Sequence, residues 1–165
     1  MNIQTLLSTM NQPETLNAVA EFHRTFKHPI LSSPQIPTAQ RCALRVELIA
    51  EELKEFEEAI QAGDIVGIAD ALCDMQYVLS GAVLEFGLGD KFKQLFDEVQ
   101  RSNMSKACKS EEEAKKTVEY YLKKDGTECY YLKEGDTWLV YRKADNKTIK
   151  SVGYSPADLE SIVSR

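Results

Sequence analysis

The stretch Ile65-Val66-Gly67-Ile68-Ala69-Asp70-Ala71-Leu72-Cys73-Asp74-Met75-Gln76-Tyr77-Val78-Leu79-Ser80-Gly81 decides the fold of this chain. Continued to Phe86, it contains no Lys, Arg or His, and apolar residues occupy nearly every side of the helix it predicts. A helix that is apolar all round is expected to be buried all round. Its main polar stripe is Asp70, Asp74, Tyr77 and Gly81, which falls on one line down one face. A buried, unpaired carboxylate is costly, and it normally neutralises, pairs or binds a metal.

The residues just before it supply the rest of the pattern. Thr38 is placed to cap a long helix that runs to Ala62 and stops at Gly63, and Asp64 is placed to cap the helix that follows. At 3.6 residues per turn, Val46, Ile49, Leu53, Phe56 and Ile60 cluster on one side, and Leu44, Leu48 and Ala59 widen that arc. Glu47, Lys54, Glu57 and Glu58 fall opposite, on a solvated side. Glu52 and Glu55 fall inside the apolar arc, with Glu51 at its margin. The tight Gly63-Asp64 turn makes the two helices antiparallel neighbours, so Glu51, Glu52, Glu55, Asp70 and Asp74 are expected to converge in a shielded pocket.

Basic residues to neutralise these acids are scarce, since Lys54 points outward. A hard cation is the natural counter-charge, and oxygen-only ligands select Mg²⁺, or Mn²⁺ as a substitute, over zinc. A run such as Glu51 to Glu58 taken alone would also suit a solvated helix face. That account does not cover the aspartates of the apolar helix. A di-iron bundle would need Glu-x-x-His pairs on facing helices, and His23 and His28 lie elsewhere.

Outward from this pair, Pro13 opens a helical stretch to about Lys27. Three prolines between His28 and Pro37 dictate an extended linker. A fourth helix is expected from about Asp90 to Met104. A fifth follows from Ser110, whose capping box with Glu113 marks its start, to Lys124. The texture then turns β-branched and aromatic in Glu128 to Leu132, Thr137 to Arg142 and Thr148 to Val152. The two intervening polar turns predict a small antiparallel meander, and Ser155-Pro156 starts a short terminal helix. The fold class is therefore mainly α: a helical bundle of four to five helices with a small C-terminal antiparallel β-meander. By texture, residues 1–106 form the helical catalytic domain and residues 107–165 a helix-plus-meander appendage.

The chain has 165 residues, 43% hydrophobic and 28% charged, and a net charge of −6. That size holds one domain, or one with an appendage. The acidic balance argues against nucleic-acid binding, which needs a basic stripe. No apolar run approaches a membrane span, and the first residues lack a secretory pattern, so the expected location is cytoplasmic. Cys42, Cys73, Cys108 and Cys129 form no CxxC pair and read as free thiols.

The acidic helices resemble the MazG-like and phosphoribosyl-ATP pyrophosphohydrolase-like superfamily of all-α nucleoside triphosphate pyrophosphatases. The first family block, ExxE, corresponds to Glu51-Glu52-Leu53-Lys54-Glu55, and the second, ExxD, to the segment around Asp70 and Asp74. A third block, Phe96 to Lys106, and the ending Ile149 to Leu159 look like one subgroup's signature. One departure stands out: Ala71 occupies the position of the ExxD glutamate, and Asp70, one residue further back, is its candidate substitute.

The resemblance implies Mg-dependent cleavage between the α and β phosphates of a nucleoside triphosphate, giving a monophosphate and pyrophosphate. Nucleotide-pool house-cleaning on dUTP or a non-standard deoxynucleotide is the leading expectation. Glu52, Glu55, Asp70 and Asp74 would hold metal. Glu51 would ligate or act as the base, and Glu51 and Glu55 are the catalytic candidates. Arg101, Asn103 and Lys106 would donate to the outer phosphates, and Phe22, His23 and Phe26 are placed to face a base. The superfamily's habit implies a homo-oligomer, a dimer or a dimer of dimers. The alternatives are a phosphoribosyl-ATP pyrophosphohydrolase, or a non-catalytic metal-binding helical module, which Ala71 would favour.

Overall fold

The computed structural model describes residues 11–164. Among them the elements run α1 (Thr15–Phe26), α2 (Ala39–Ala62), α3 (Ile65–Glu85), a 3-10 turn (Gly89–Lys91), α4 (Phe92–Met104), α5 (Glu111–Asp125), β1 (Cys129–Glu134), β2 (Thr137–Arg142) and α6 (Glu160–Val163). The chain is mainly α with a small antiparallel sheet. The described residues up to Asp90 group into one compact unit, and those from Lys91 onward into another. α4 thus groups with the C-terminal elements, so the division falls earlier than the boundary at residue 106 that sequence texture suggested.

In the first unit, local signals set the helix ends. The Thr38 hydroxyl accepts from the Arg41 amide, and the Asp64 carboxylate accepts from the Val66 amide at 3.0 Å. Gly63 closes α2 in the left-handed region, at φ 66°. α3 packs along α2 and also against α1. The proline linker lies across the end of α3, with the Leu31 amide donating to Leu84 O and the Gln35 amide to Phe86 O. Gly87 is required there, because a Cβ would sit 1.9 Å from the Ser33 carbonyl oxygen. Val19, Ala20 and Leu84 form the small buried apolar cluster of this unit.

The burial expected of α3 is not what the chain by itself provides. Ala71, Ser80, Gly81, Leu84 and Glu85 are buried, but Ile65 is 72% exposed and Leu72 48%. On α2, Val46, Leu53 and Ile60 are exposed as well. The exposed apolar residues are regularly placed: Val46, Leu53 and Ile60 on one helix, and Ile65, Leu72 and Leu79 on the other, each recur every seven residues. Such a spacing draws a continuous apolar seam along a helix.

In the second unit, Ser110 caps α5 by accepting from the Glu113 amide, and the Glu113 carboxylate accepts in turn from the Lys109 amide. The capping box thus closes one residue earlier than its usual form. β1 and β2 pair antiparallel from Cys129 opposite Arg142 to Glu134 opposite Thr137. The expected third strand is reduced to a single bridge between Tyr141 and Thr148, and another bridge joins Cys108 to Trp138. The terminal helix starts at Glu160, later than Ser155. Cys108, Ala114, Cys129, Val140 and Ile149 make a buried core, covered by Val118, Tyr121, Tyr131 and Trp138. All four cysteines are free thiols, as expected.

Candidate active site

The five acids of α2 and α3 lie within electrostatic reach of one another. Partial burial, then the charges of Asp74, Glu55, Glu51 and Asp70, push the Glu52 carboxyl above its usual range. The antiparallel pairing of α2 and α3 brings Glu52 under the influence of two acids from the neighbouring helix. Among the described residues, none of the five makes an ion pair: Lys54 pairs with Glu58 instead. The arrangement is open, however. Glu52 is half-buried, while Glu51, Glu55, Asp70 and Asp74 are exposed, which corrects the expectation of a shielded pocket. Among the described residues, no three His, Cys, Asp or Glu side chains already converge as in a preformed metal site. What the helices provide is a patch of carboxylate oxygen donors, a donor set suited to a hard divalent ion. Ala71 is 2% exposed, so the position of the family glutamate is packed among neighbours, and Asp70 and Asp74 supply the exposed carboxylates of α3.

The most deeply buried acid of the unit is one that sequence patterning passes over. Glu85, near the end of α3, is 1% exposed and is held by Arg41 and Arg45 of α2. Burial pushes its carboxyl up, but the hydrogen bonds from Arg41 and then Arg45 outweigh this and hold it below the usual carboxylate range. The Arg41 Nε bond measures 3.0 Å. The signal in the sequence is an acid at the apolar C-terminal end of a helix without bases, with two arginines one turn apart at the start of α2.

His23 joins this network and is itself buried, at 2% exposure. Its Nδ1 lies 2.8 Å from Pro29 O, and its Nε2 lies 3.4 Å from Arg45 Nη2. Since a carbonyl only accepts and a guanidinium only donates, the ring is neutral, with its proton on Nδ1. Burial, and then the Arg45 charge, depress its pKa against the backbone bond that raises it. His23 therefore anchors the linker through Nδ1, and it also lines the cavity that Phe22 and His28 border. Gly81 leaves room for this network, for a Cβ there would lie 2.6 Å from Arg45 Nη1 and 3.1 Å from His23 Nε2.

Phe22 stacks on His28 with centroids 5.7 Å apart and meets Tyr77 edge-on, while Phe26 packs beside it. A cavity of about 220 Å³ is lined by Phe22, His28, Tyr77, Arg41, Arg45 and Leu48, among others. Its mix of rings and guanidinium groups suits a planar heterocycle. Sequence reading named Phe22 but missed His28 and Tyr77 as its ring partners.

In the second unit, Arg101 departs from its expected part. Its Nε and Nη2 both bond Glu98, Nη1 donates to Ser155 Oγ and Nη2 to Pro156 O. Glu98 also accepts from the Asp158 amide, and these bonds hold its carboxyl down at about 2. Arg101 is a clamp between α4 and the tail, with four of its five N–H donors engaged within the fold. Lys106 and Asn103 remain as expected candidates, linked by a 2.8 Å bond from Lys106 Nζ to Asn103 Oδ1.

A sequence profile of the family described as phosphoribosyl-ATP pyrophosphohydrolase matches residues 19–103, from within α1 to the last turn of α4. An uncharacterized protein of Acanthamoeba polyphaga mimivirus is 24% identical, over 81% of this chain and 89% of its own length.

Proposed function

Because the chain belongs to the phosphoribosyl-ATP pyrophosphohydrolase family, a pyrophosphohydrolase family of the MazG-like type, we propose that it hydrolyses nucleoside triphosphates with Mg²⁺ between the α and β phosphates. One water is consumed, the α–β anhydride bond breaks, and a nucleoside monophosphate and pyrophosphate leave. The observation that carries this reading is the electrostatic coupling of Glu52 to Glu51, Glu55, Asp70 and Asp74 across two helices, with no ion pair to these acids among the described residues.

Glu52, Glu55 and Asp74 are the proposed metal ligands, with Asp70 as a further one in place of the glutamate that Ala71 replaces. Mg²⁺, or Mn²⁺ in its stead, would neutralise phosphate charge and lower the pKa of a bound water. Glu51, exposed at the margin of the patch, ligates or takes the proton from that water. Phe22, with Phe26, His28 and Tyr77, forms the aromatic face offered to the base. His23 supports it from beneath.

The preferred substrate within this reading is dUTP or a non-standard deoxynucleotide, in a cytoplasmic house-cleaning role. Among the described residues, no helix is long and apolar enough to cross a membrane. The family's name favours phosphoribosyl-ATP as the second substrate to be tried. The exposed seven-residue seams of α2 and α3 support assembly into a dimer or a dimer of dimers, since two helical hairpins can cover each other's seams in a four-helix arrangement.

Purified protein is incubated with a panel of nucleoside triphosphates and phosphoribosyl-ATP plus Mg²⁺ or Mn²⁺, and the products are identified. Pyrophosphate with the monophosphate is the expected result, abolished by Glu55→Ala and by Asp74→Ala. Orthophosphate with a diphosphate would contradict the reading. No turnover of any nucleotide, with metal still bound, would favour a non-catalytic module.

A further inference from the structure

The tail that follows the β-hairpin wraps the end of α4, and the bonds that fix it are specific. Ser151 Oγ donates to Ser105 O, the Ser155 amide donates to Ser105 Oγ at 2.9 Å, and the Tyr154 hydroxyl meets the buried Ser102 Oγ at 2.9 Å. With the Arg101 clamp, these contacts set Tyr154 firmly beside the turn that carries Lys106.

Two lysines share this tyrosine. Lys150 Nζ sits 4.4 Å from the Tyr154 ring centroid. The hydrogen bond shared with Ser102 contributes most, and with the charges of Lys150 and Lys106 it holds the phenol's pKa below the usual value. Neither lysine has a carboxylate partner among the described residues. Lys54, Lys93, Lys115, Lys123 and Lys143 each do. In a chain of net charge −6, one ammonium group held over the phenol ring and a second, bonded to the Asn103 side-chain oxygen, within its electrostatic reach are a local reversal of sign. Such a group is suited to an anion with several oxygens, since each ammonium offers more than one donor.

We propose that Lys150, organised by the Tyr154 ring, is a second anion-binding lysine that acts with Lys106 and Asn103 to hold a diphosphate group. The site takes two linked phosphates, as free pyrophosphate or as the outer phosphates of a nucleotide, an assignment that rests on the pyrophosphohydrolase reading for its biological use. Tyr154 positions Lys150 by its ring face and is itself positioned by Ser102.

The test uses the full chain without divalent metal, and binding of inorganic pyrophosphate and of a nucleoside monophosphate is measured by calorimetry. Lys150→Gln and Lys106→Gln are each expected to weaken pyrophosphate binding about tenfold and to leave monophosphate binding unchanged. Lys133→Gln, which removes the same charge from a lysine lying over the Trp138 ring, should leave both unchanged. Wild-type protein that binds no pyrophosphate, or a Lys150→Gln variant that binds it as wild type does, overturns the proposal. Equal weakening by Lys133→Gln also overturns it, because bulk charge would then suffice. Turnover measured in parallel with Mg²⁺ separates the two readings. Pyrophosphate binding that depends on Lys150, without turnover of any nucleotide, upholds this site and sinks the hydrolase. Normal turnover with an unchanged KM in Lys150→Gln does the reverse.

Discussion

The two compact units of this chain solve the burial problem in opposite ways. The C-terminal unit closes a core of its own: Cys108, Ala114, Cys129, Val140 and Ile149 are buried under Trp138 and three further side chains. Among the described residues, the buried apolar cluster of the N-terminal unit, which carries the acids, is Val19, Ala20 and Leu84. That unit leaves Val46, Leu53, Ile65 and Leu72 largely in water. Its interior is instead polar, built on Glu85, Arg41, Arg45 and His23. One unit holds itself together by apolar packing, the other by a buried ion network with an apolar outer face still to be covered.

The largest expected effect is at the centre of that network. Glu85→Ala leaves two arginines without their carboxylate, and breaking a buried pair costs about 3–5 kcal/mol, read as a fall in denaturant-unfolding free energy. Val140→Ala in the other unit removes two methyl groups and costs about 2 kcal/mol. If Glu85→Ala proves the milder of the two, the contrast between the units fails.

The exposed seams come next. Wild-type protein is expected to sediment as a dimer or larger, and Leu72→Glu, which puts a charge into the α3 seam, should shift it to monomer. A burial gain of about 1.5–3 kcal/mol per leucine sets the scale of the loss. Sedimentation as a monomer in both proteins would remove the proposed covering of this face. Gly81→Ala tests the network more gently. The added methyl crowds Arg45 and His23 and should cost about 1–3 kcal/mol in thermal or chemical unfolding, whereas an unchanged midpoint would mean that the network has slack.

The smallest effect is the pH response of the N-terminal unit. His23 has a folded pKa below its ordinary 6.5, so as pH falls the unfolded chain takes up that proton first. Stability present above pH 6.5 therefore declines below it. Glu85, held below its ordinary 4.5, adds a second decline as pH falls through that value toward its folded pKa. Unfolding midpoints measured from pH 7.5 to 4 check this, and His23→Gln should remove the upper part of the slope.

Much of this was legible in the sequence, because short-range chemistry set it. Thr38, Asp64 and Ser110 cap where their side chains predict, Gly63 and Gly126 end helices, and the acid blocks of α2 and α3 meet across the turn they flank. What escaped depends on long-range partners. Glu85 finds Arg41 and Arg45 across more than a helix length of chain, and Arg101 turns to residues of the tail. Neither pairing has a local signature. The burial of α3 was misjudged for a related reason: an all-round apolar helix states that its faces need covering, not that its own chain covers them.

The proposed function rests on acids from two helices holding a divalent ion. Its most direct test is Mn²⁺ binding to the full chain, followed by electron paramagnetic resonance, in wild type, Glu52→Gln, Asp74→Asn and the distant Glu58→Gln. Tight binding is expected in wild type and Glu58→Gln, with a loss of at least tenfold in Glu52→Gln and Asp74→Asn. Equal Mn²⁺ affinity in all four proteins would contradict it.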